Sequence, residues 1–248
     1  MKIFVVGSSK NKFLPMDDIR ERFVVDQPHE GDNIDFLNPW YCELTGLYYL
    51  WKNINDDIVG LEHYRTYFWK DKRPISKQRI LDILKDNDII CSGYSYPVRN
   101  AIYLFQKYDK HLNGITNVVL DNIKKHDEGL EEYFRKFLNG QSLYPCNMFI
   151  GKKEIIDKWC NFIFPLLIDI EKESPIGPKT NTLRREGYIT EFLFGAWLEY
   201  NKYKISHCDI LKFNKSLSGI YCAFTGLNNK IRYGISRYEN LCSWKQER

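Results

Sequence analysis

The chain has 248 residues, of which 44% are hydrophobic, 27% charged and 15% aromatic. That balance describes one folded domain, long enough to bury roughly 70–75% of the surface of its unfolded chain without a metal or disulfide staple, and it excludes collagen-like, coiled-coil and low-complexity classes. Seven cysteines with no Cys-x-x-Cys pair and no Cys/His cluster at zinc spacing point to a reducing compartment, and the formal charge of +4 is concentrated at one end.

In chain order, the apolar run Ile3 to Gly7 is too short for a signal-peptide core and predicts a first strand, Lys2 to Gly7. A second strand is expected over Arg22 to Val25. The helix expected from Pro39 to Asn53 carries Asn38 as its N-cap and Pro39 at its first position. Its apolar stripe is Trp40, Leu44, Leu47, Tyr48 and Trp51. Glu43 lies on the flank of that stripe, where a carboxylate needs a polar partner.

The next strand, Ile58 to Leu61, is apolar on successive residues, as expected when both faces are covered. It passes abruptly into Glu62-His63-Tyr64-Arg65. Ligands of open α/β sheets bind beyond the carboxyl ends of strands, and alternation places His63 and Arg65 on one side, suited to an anionic ligand. Further helices are expected over Ser76 to Lys85, Asn117 to Lys125, Leu130 to Leu138, Lys153 to Glu173 with a bend at Pro165, and Tyr188 to Asn201. Strands are expected over Ile89 to Ser92 and Cys146 to Ile150. The alternation is that of an α/β domain. Ser174 to Gly187, with two Pro, two Gly and three Lys/Arg, predicts a mobile basic loop.

Residues 204 to 248 hold eight Lys/Arg against three acids, with six aromatics among them. Such interleaving suits a solvated face or an anionic membrane surface, and nucleic acid less well. The longest uncharged stretch, Ser216 to Asn229, has 14 residues, against ~20 apolar residues for a membrane span. A cytoplasmic protein is expected, or one peripheral on the inner face of the membrane.

Four blocks carry a family resemblance: GDNIDFLNPWYCELTGLYYLWKN from Gly31, IVGLEHYRTYF from Ile58, CNMFIGKKEIIDKWC from Cys146 and GYITEFLFGAWLEYN from Gly187. Their order and spacing resemble the domain-of-unknown-function 4422 family, found in capsular polysaccharide, exopolysaccharide and O-antigen glycosyltransferases, galactosyl- and galactofuranosyl-transferases included. The likeness runs from the first strand to about Ile205. The chain departs from the family at Thr66 and Phe192, where an Arg is usual, and at Lys110-His111, where a histidine-rich stretch is reduced.

The resemblance implies a single GT-A-like (Rossmann-like) α/β domain over residues 1–205, with a mostly parallel central sheet flanked by helices. Residues 206–248 would form a basic, aromatic extension packed on it or at the membrane surface. The implied activity moves a sugar of the galactose or galactofuranose type from a UDP-sugar to a lipid-linked oligosaccharide. The alternative is a non-catalytic carbohydrate or membrane-surface binding module on the same fold. Departure of a diphosphate must be stabilised by a metal or by fixed cations. The only good Asp-x-Asp, Asp86-Asn87-Asp88, precedes its strand at the wrong edge, and Asp32 and Asp35 are a weaker pair. Arg65 and His63, joined by Arg184 or Arg185, are therefore favoured over manganese or magnesium, and no cofactor is expected.

Glu191 is the first choice of base for an inverting transfer, on the line Tyr188, Glu191, Gly195, where the glycine leaves room for a sugar; Glu43 is the second. Donor contacts are expected from Gly7 and Ser8 after the first strand, Asp32 and Asn33 at the base or ribose, Asn38, Glu43 and Tyr64, and Asn147 and Met148 lining the sugar pocket. For the tail, sedimentation should show binding to anionic and not neutral vesicles, weakening as salt shortens the Debye length below ~8 Å. Equal binding after its Lys and Arg are neutralised would make it an ordinary solvated face.

Overall fold

The computed structural model describes residues 1–71, 73–92, 94–95, 100–109, 114–180, 182–213, 220–223 and 233–235. Chain order gives β1 (Lys2–Gly7), β2 (Arg20–Val24), α1 (Asn38–Tyr41), α2 (Leu44–Asn53), β3 (Ile58–His63), β4 (Thr66–Lys70), β5 (Arg73–Pro74), α3 (Lys77–Leu84), β6 (Ile89–Cys91) and β7 (Tyr94–Ser95). Then come α4 (Ala101–Asp109), α5 (Thr116–His126), α6 (Glu128–Asn139), β8 (Ser142–Leu143), β9 (Phe149–Lys152), α7 (Lys153–Glu173), α8 (Arg185–Tyr200), β10 (Ile205–His207), β11 (Ile210–Phe213), β12 (Ile220–Ala223) and β13 (Tyr233–Ile235).

A central sheet flanked by helices forms, as the alternation of the sequence implies. Its pairing is mixed rather than mostly parallel. β1 lies parallel between β2 and β3, and β10 is parallel to β6. β9 runs antiparallel between β3 and β6. Beyond the turn that ends β3, β4 continues into the antiparallel series β11, β12 and β13. Because β1, β3, β6 and β9 are covered on both faces, they read as continuous apolar runs. One face packs Phe4, Val6, Val59 and Leu61 against α2, α7 and α8; the other packs Ile3, Ile90 and Ile150 against Ile80 and Leu84 of α3. Gly60 lets these strands close: a Cβ there would stand 3.0 Å from both Ile150 Cγ1 and the Phe149 carbonyl oxygen.

Four of the boundaries that depart from expectation do so for local reasons. The helix expected over Pro39 to Asn53 breaks at Cys42, whose φ of 51° and ψ of −123° belong to no helix. Asn38 is its first helical residue instead of its cap, because a 3-10 turn over Asp35–Leu37 precedes it. The strand expected from Cys146 begins at Phe149, since Pro145–Asn147 forms a 3-10 turn. α8 starts at Arg185, inside the expected loop. α7 has the expected limits and runs as one helix through Pro165. Lys110 and His111, and residues 214–219, 224–232 and 236–248 of the basic tail, lie outside the described residues.

A buried ion pair joins the strands where β3 ends. Arg20 Nε donates to Glu62 Oε2 at 2.7 Å, and Arg20 also donates to Asp17 at 2.7 Å and to the Ile75 carbonyl at 3.2 Å. Glu62, fully buried, accepts the Phe68 amide of β4 at 3.0 Å. Removing one member of such a pair strands the other charge. Arg20→Met should therefore lower unfolding free energy by about 3–5 kcal/mol in urea denaturation. A loss below about 1 kcal/mol would show that the pair does not fasten this corner.

Candidate active site

The chain leaves the sheet at the carboxyl ends of β1 and β3. The Tyr64 amide donates to the Val6 carbonyl at 2.9 Å, so Tyr64 lies across the end of β1. Gly7 is required by that crossing, because a Cβ there would stand 2.8 Å from both Tyr64 Cβ and Phe13 Cζ. Tyr64 and Arg65 form the two-residue turn between β3 and β4, in which His63 pairs with Thr66. Strand alternation thus stops at His63, and Arg65 projects from a turn, its guanidinium 5.7 Å from the Tyr64 ring centroid.

Against this corner sits the turn Pro145–Asn147. His63 Nε2 lies 2.9 Å from the Cys146 carbonyl and so carries the proton of that hydrogen bond. Asn147 Nδ2 donates to Glu43 Oε1 at 2.8 Å and to the Gly187 carbonyl at 3.1 Å. One buried side chain thereby ties the α1/α2 junction to the start of α8. Its own Oδ1 finds no donor among the described residues.

The backbone here is held in uncommon conformations. Among the described residues, the non-glycine positions with positive φ include Cys42 (51°), Cys146 (67°), Asn147 (50°) and Arg184 (64°). All four border Glu43 or the start of α8. Such conformations cost of order 1–3 kcal/mol each and persist where surrounding contacts over-determine them.

Glu191 lies in α8, partly accessible, with protein packed closely around its carboxyl. Burial pushes its pKa up to about 7; the Cys146 amide, Arg184 and Lys212 oppose that rise, and Glu43 adds to it. Around these two carboxylates stand Arg65, Arg184 and Lys212, whose charges act on Cys146, Glu191 or both. Among the described residues none of these cations has a carboxylate within ion-pair distance, whereas Arg20 and Arg185 are each ion-paired. Arg184 is exposed and reaches over the Tyr188 ring at 5.5 Å. The Cys42 and Cys146 thiols are pushed up to about 12 by burial, so both are protonated at neutral pH.

His63, Arg65, Glu43, Asn147, Arg184 and Glu191 are thus brought together, with Tyr64 and Gly7 beside them. Other expected residues are buried in the core or engaged within their own loops. Arg185 is no loop cation: it is buried at 0% exposure, ion-paired to Glu186 at 2.7 Å and bonded to Ser174. Met148 packs in the core with Ile3 and Ile150. Gly195 leaves no room for a sugar, because Tyr144 Cδ2 would stand 2.1 Å from its Cβ. Phe192 is a core residue stacked edge-on to Phe105. Asp32 accepts the Tyr48 hydroxyl and its backbone is bonded by Asn53, while the Asn33 amide closes its own loop on His29 and Gly31. Asn38 supplies the carbonyl that takes the Cys42 amide, and Ser8 is held by Asn11. Asp88 of the Asp-x-Asp is paired to Lys152.

Two residues near the candidate site escape a sequence reading. Asp26, just past β2, accepts the Ser9 amide at 2.6 Å and hydroxyl at 2.7 Å, an acid beside the first strand's loop at the distance in sequence where α/β nucleotide sites place a ribose acceptor. Lys212 reaches the site from β11, and only the pairing of that strand with β4 reveals it.

Residues 2–202 match the family profile described as "Domain of unknown function (DUF4422)". The solved structure titled WbbM bifunctional glycosyltransferase, in its apo form, superposes with a TM-score of 0.71 at 21% identity, covering 93% of this chain and 47% of that one. The chain therefore spans about half the length of that protein, and the likeness is one of fold. No protein of curated function matches at a significant level.

Glu191 destabilises the fold in a pH-dependent way. Its carboxyl holds a proton up to about pH 7 when folded, against 4.5 as reference, so stability falls as pH rises through that window. Glu191→Gln should raise stability at pH 8 by about 1 kcal/mol, after allowance for the carboxyl's partial exposure, and by nothing at pH 4. Equal stability of the two proteins at pH 8, by thermal or urea unfolding, would contradict the burial of that carboxyl.

Proposed function

The chain belongs to the DUF4422 family, and from that premise we propose that it is a glycosyltransferase moving a galactose- or galactofuranose-type sugar from a UDP-sugar to a lipid-linked oligosaccharide. The observation that carries this reading is a partly accessible carboxyl with its pKa raised to about 7, set beside cations that have no carboxylate partner among the described residues, at the carboxyl ends of β1 and β3. A base poised near 7 is ionised often enough to accept the proton of an acceptor hydroxyl and basic enough to hold it. Arg65 and Arg184 meet the charge that develops on a departing diphosphate. His63, with Nε2 committed to the Cys146 carbonyl, positions the turn that carries Asn147, and Asn147 fixes Glu43 against α8. The nucleotide lies across the end of β1, near Gly7, Ser8 and Asp26.

The charge of the leaving group is met by fixed cations in this reading, with no metal required, although manganese or magnesium held by Asp32 and Asp35 is the competing arrangement. The basic tail, on the same reading, brings the protein to an anionic membrane surface carrying the acceptor. Among the described residues no helix is long and apolar enough to cross a membrane.

Release of UDP from UDP-galactofuranose or UDP-galactose in the presence of acceptor should persist in EDTA, rise with pH through about 7, and fall by about 10²–10⁴ in Glu191→Gln. UDP should raise the melting temperature more than ADP or GDP. Loss of activity in chelator with recovery in manganese would overturn the cation reading. Turnover unchanged by Glu191→Gln would remove the base, and no thermal shift with any nucleotide would sink donor binding.

A further inference from the structure

Beyond the end of the family match at residue 202, β11 pairs antiparallel with β4 in the register Ile210 to Phe68, Leu211 to Tyr67 and Lys212 to Thr66. Thr66 is itself the partner of His63 across the turn. Directly opposed residues of a sheet share a face, so His63, Thr66 and Lys212 form one row across three strands. At one end of that row His63 is bonded to the Cys146 carbonyl. Ile210, two residues before Lys212, packs in one cluster with Phe68 and Met148, and Leu211 points the other way, into a cluster with Val5 and Tyr67. The register thus sets Lys212 opposite Thr66, whose own partner His63 is bonded to the turn that carries Asn147.

Lys212 is exposed, and its charge is felt at Glu191 and Cys146. Among the described residues no carboxylate lies within ion-pair distance of it. With Arg65 and Arg184 it makes three cations around two carboxylates, one of which, Glu191, is half protonated near pH 7. The centre thus carries surplus positive charge, which an anionic ligand of two or more charges neutralises. A lysine suits such a task as a hydrated point charge on a flexible stem, able to follow phosphate oxygens as a leaving group withdraws.

We propose that Lys212, contributed by the strand that follows the family domain, binds the diphosphate of the donor and completes the active site. The proposal rests on the glycosyltransferase reading for the identity of the donor and on the β4–β11 register for the placement. It assigns the segment after residue 205 a part in the site itself, in addition to any contact with a surface.

The test is calorimetric titration of the full-length protein and its Lys212→Met and Lys212→Arg variants with UDP, uridine and inorganic pyrophosphate. Removing one phosphate-binding cation should weaken UDP and pyrophosphate about tenfold in Lys212→Met, leave uridine unchanged, and be largely restored in Lys212→Arg. Because the side chain is exposed, all three proteins should melt alike without ligand. Pyrophosphate binding that depends on Lys212 in a protein indifferent to uridine and UDP would keep this assignment and overturn the uridine donor. UDP and pyrophosphate bound equally by wild type and Lys212→Met would overturn the assignment and leave the donor reading standing. Failure of wild type to bind pyrophosphate or UDP would overturn both. A uniform loss that includes uridine would mark Lys212 as structural and end the proposal.

Discussion

The site depends on one amide. Asn147 donates both protons of its side chain, one to Glu43 and one to the Gly187 carbonyl, and so fixes three segments distant in sequence at a single point. None of the three would hold its shape alone. The α1/α2 junction turns through Cys42, the Pro145–Asn147 turn carries two successive left-handed residues, and α8 is entered through a left-handed Arg184. Each costs conformational energy that regular structure would avoid. The amide also neutralises a practical difficulty: Glu43 is buried at 7% exposure, and a carboxylate so placed needs a donor. In return Glu43 lies near Glu191, where like charge helps burial keep a proton on the neighbouring carboxyl.

How much of this was legible in the sequence varies with the physics of each element. β1, α3 with its Ser76 cap, and α7 follow from apolar periodicity and end signals, because nothing outside the element competes with them. The break at Cys42 was invisible, since Asn-Pro-Trp-Tyr-Cys-Glu-Leu-Thr keeps helical periodicity throughout; the tertiary clamp on Glu43 decides it. The basic loop was overextended for a related reason. Arg185 looks like a solvated cation until its partners, Glu186 and Ser174, are seen around it. Gly195 illustrates the same limit in reverse: a glycine beside a catalytic candidate suggests open space, yet the space is filled by Tyr144.

The candidate residues divide along this line. His63, Arg65, Asn147 and Arg184 converge from a strand end, two turns and a helix entry, and meet Glu43 at the α1/α2 junction and Glu191 in α8. Asp32 and Asn33 serve a loop whose backbone groups require them, and Met148 serves packing. Spacing in sequence cannot separate these roles, since each set is polar or apolar for reasons that only the fold reveals. Lys212 is the extreme case. Nothing in the tail's charge pattern distinguishes it from its neighbours, and its placement beside the candidate site comes from the register of β11 on β4.

Two carboxyls, Glu186 and Glu191, are pushed by burial to about the same value, near 7, and their difference shows what a perturbed pKa does and does not identify. Glu186 is wholly buried and its charge is answered at 2.7 Å by Arg185; a substrate hydroxyl has no path to it, and its shift records the cost of an interior ion pair. Glu191 stands partly open and, among the described residues, has no side-chain ion pair and lies near cations that have no carboxylate partner. On the proposed reading a proton passes between it and a ligand, and the field of Arg184 and Lys212 changes when an anion arrives. Binding a diphosphate would offset those cations and raise the affinity of Glu191 for a proton at the moment an acceptor must be deprotonated, so donor binding and base strength are coupled through the same few charges. Accessibility and unpaired countercharge, more than the size of the shift, separate a base from a buried salt bridge.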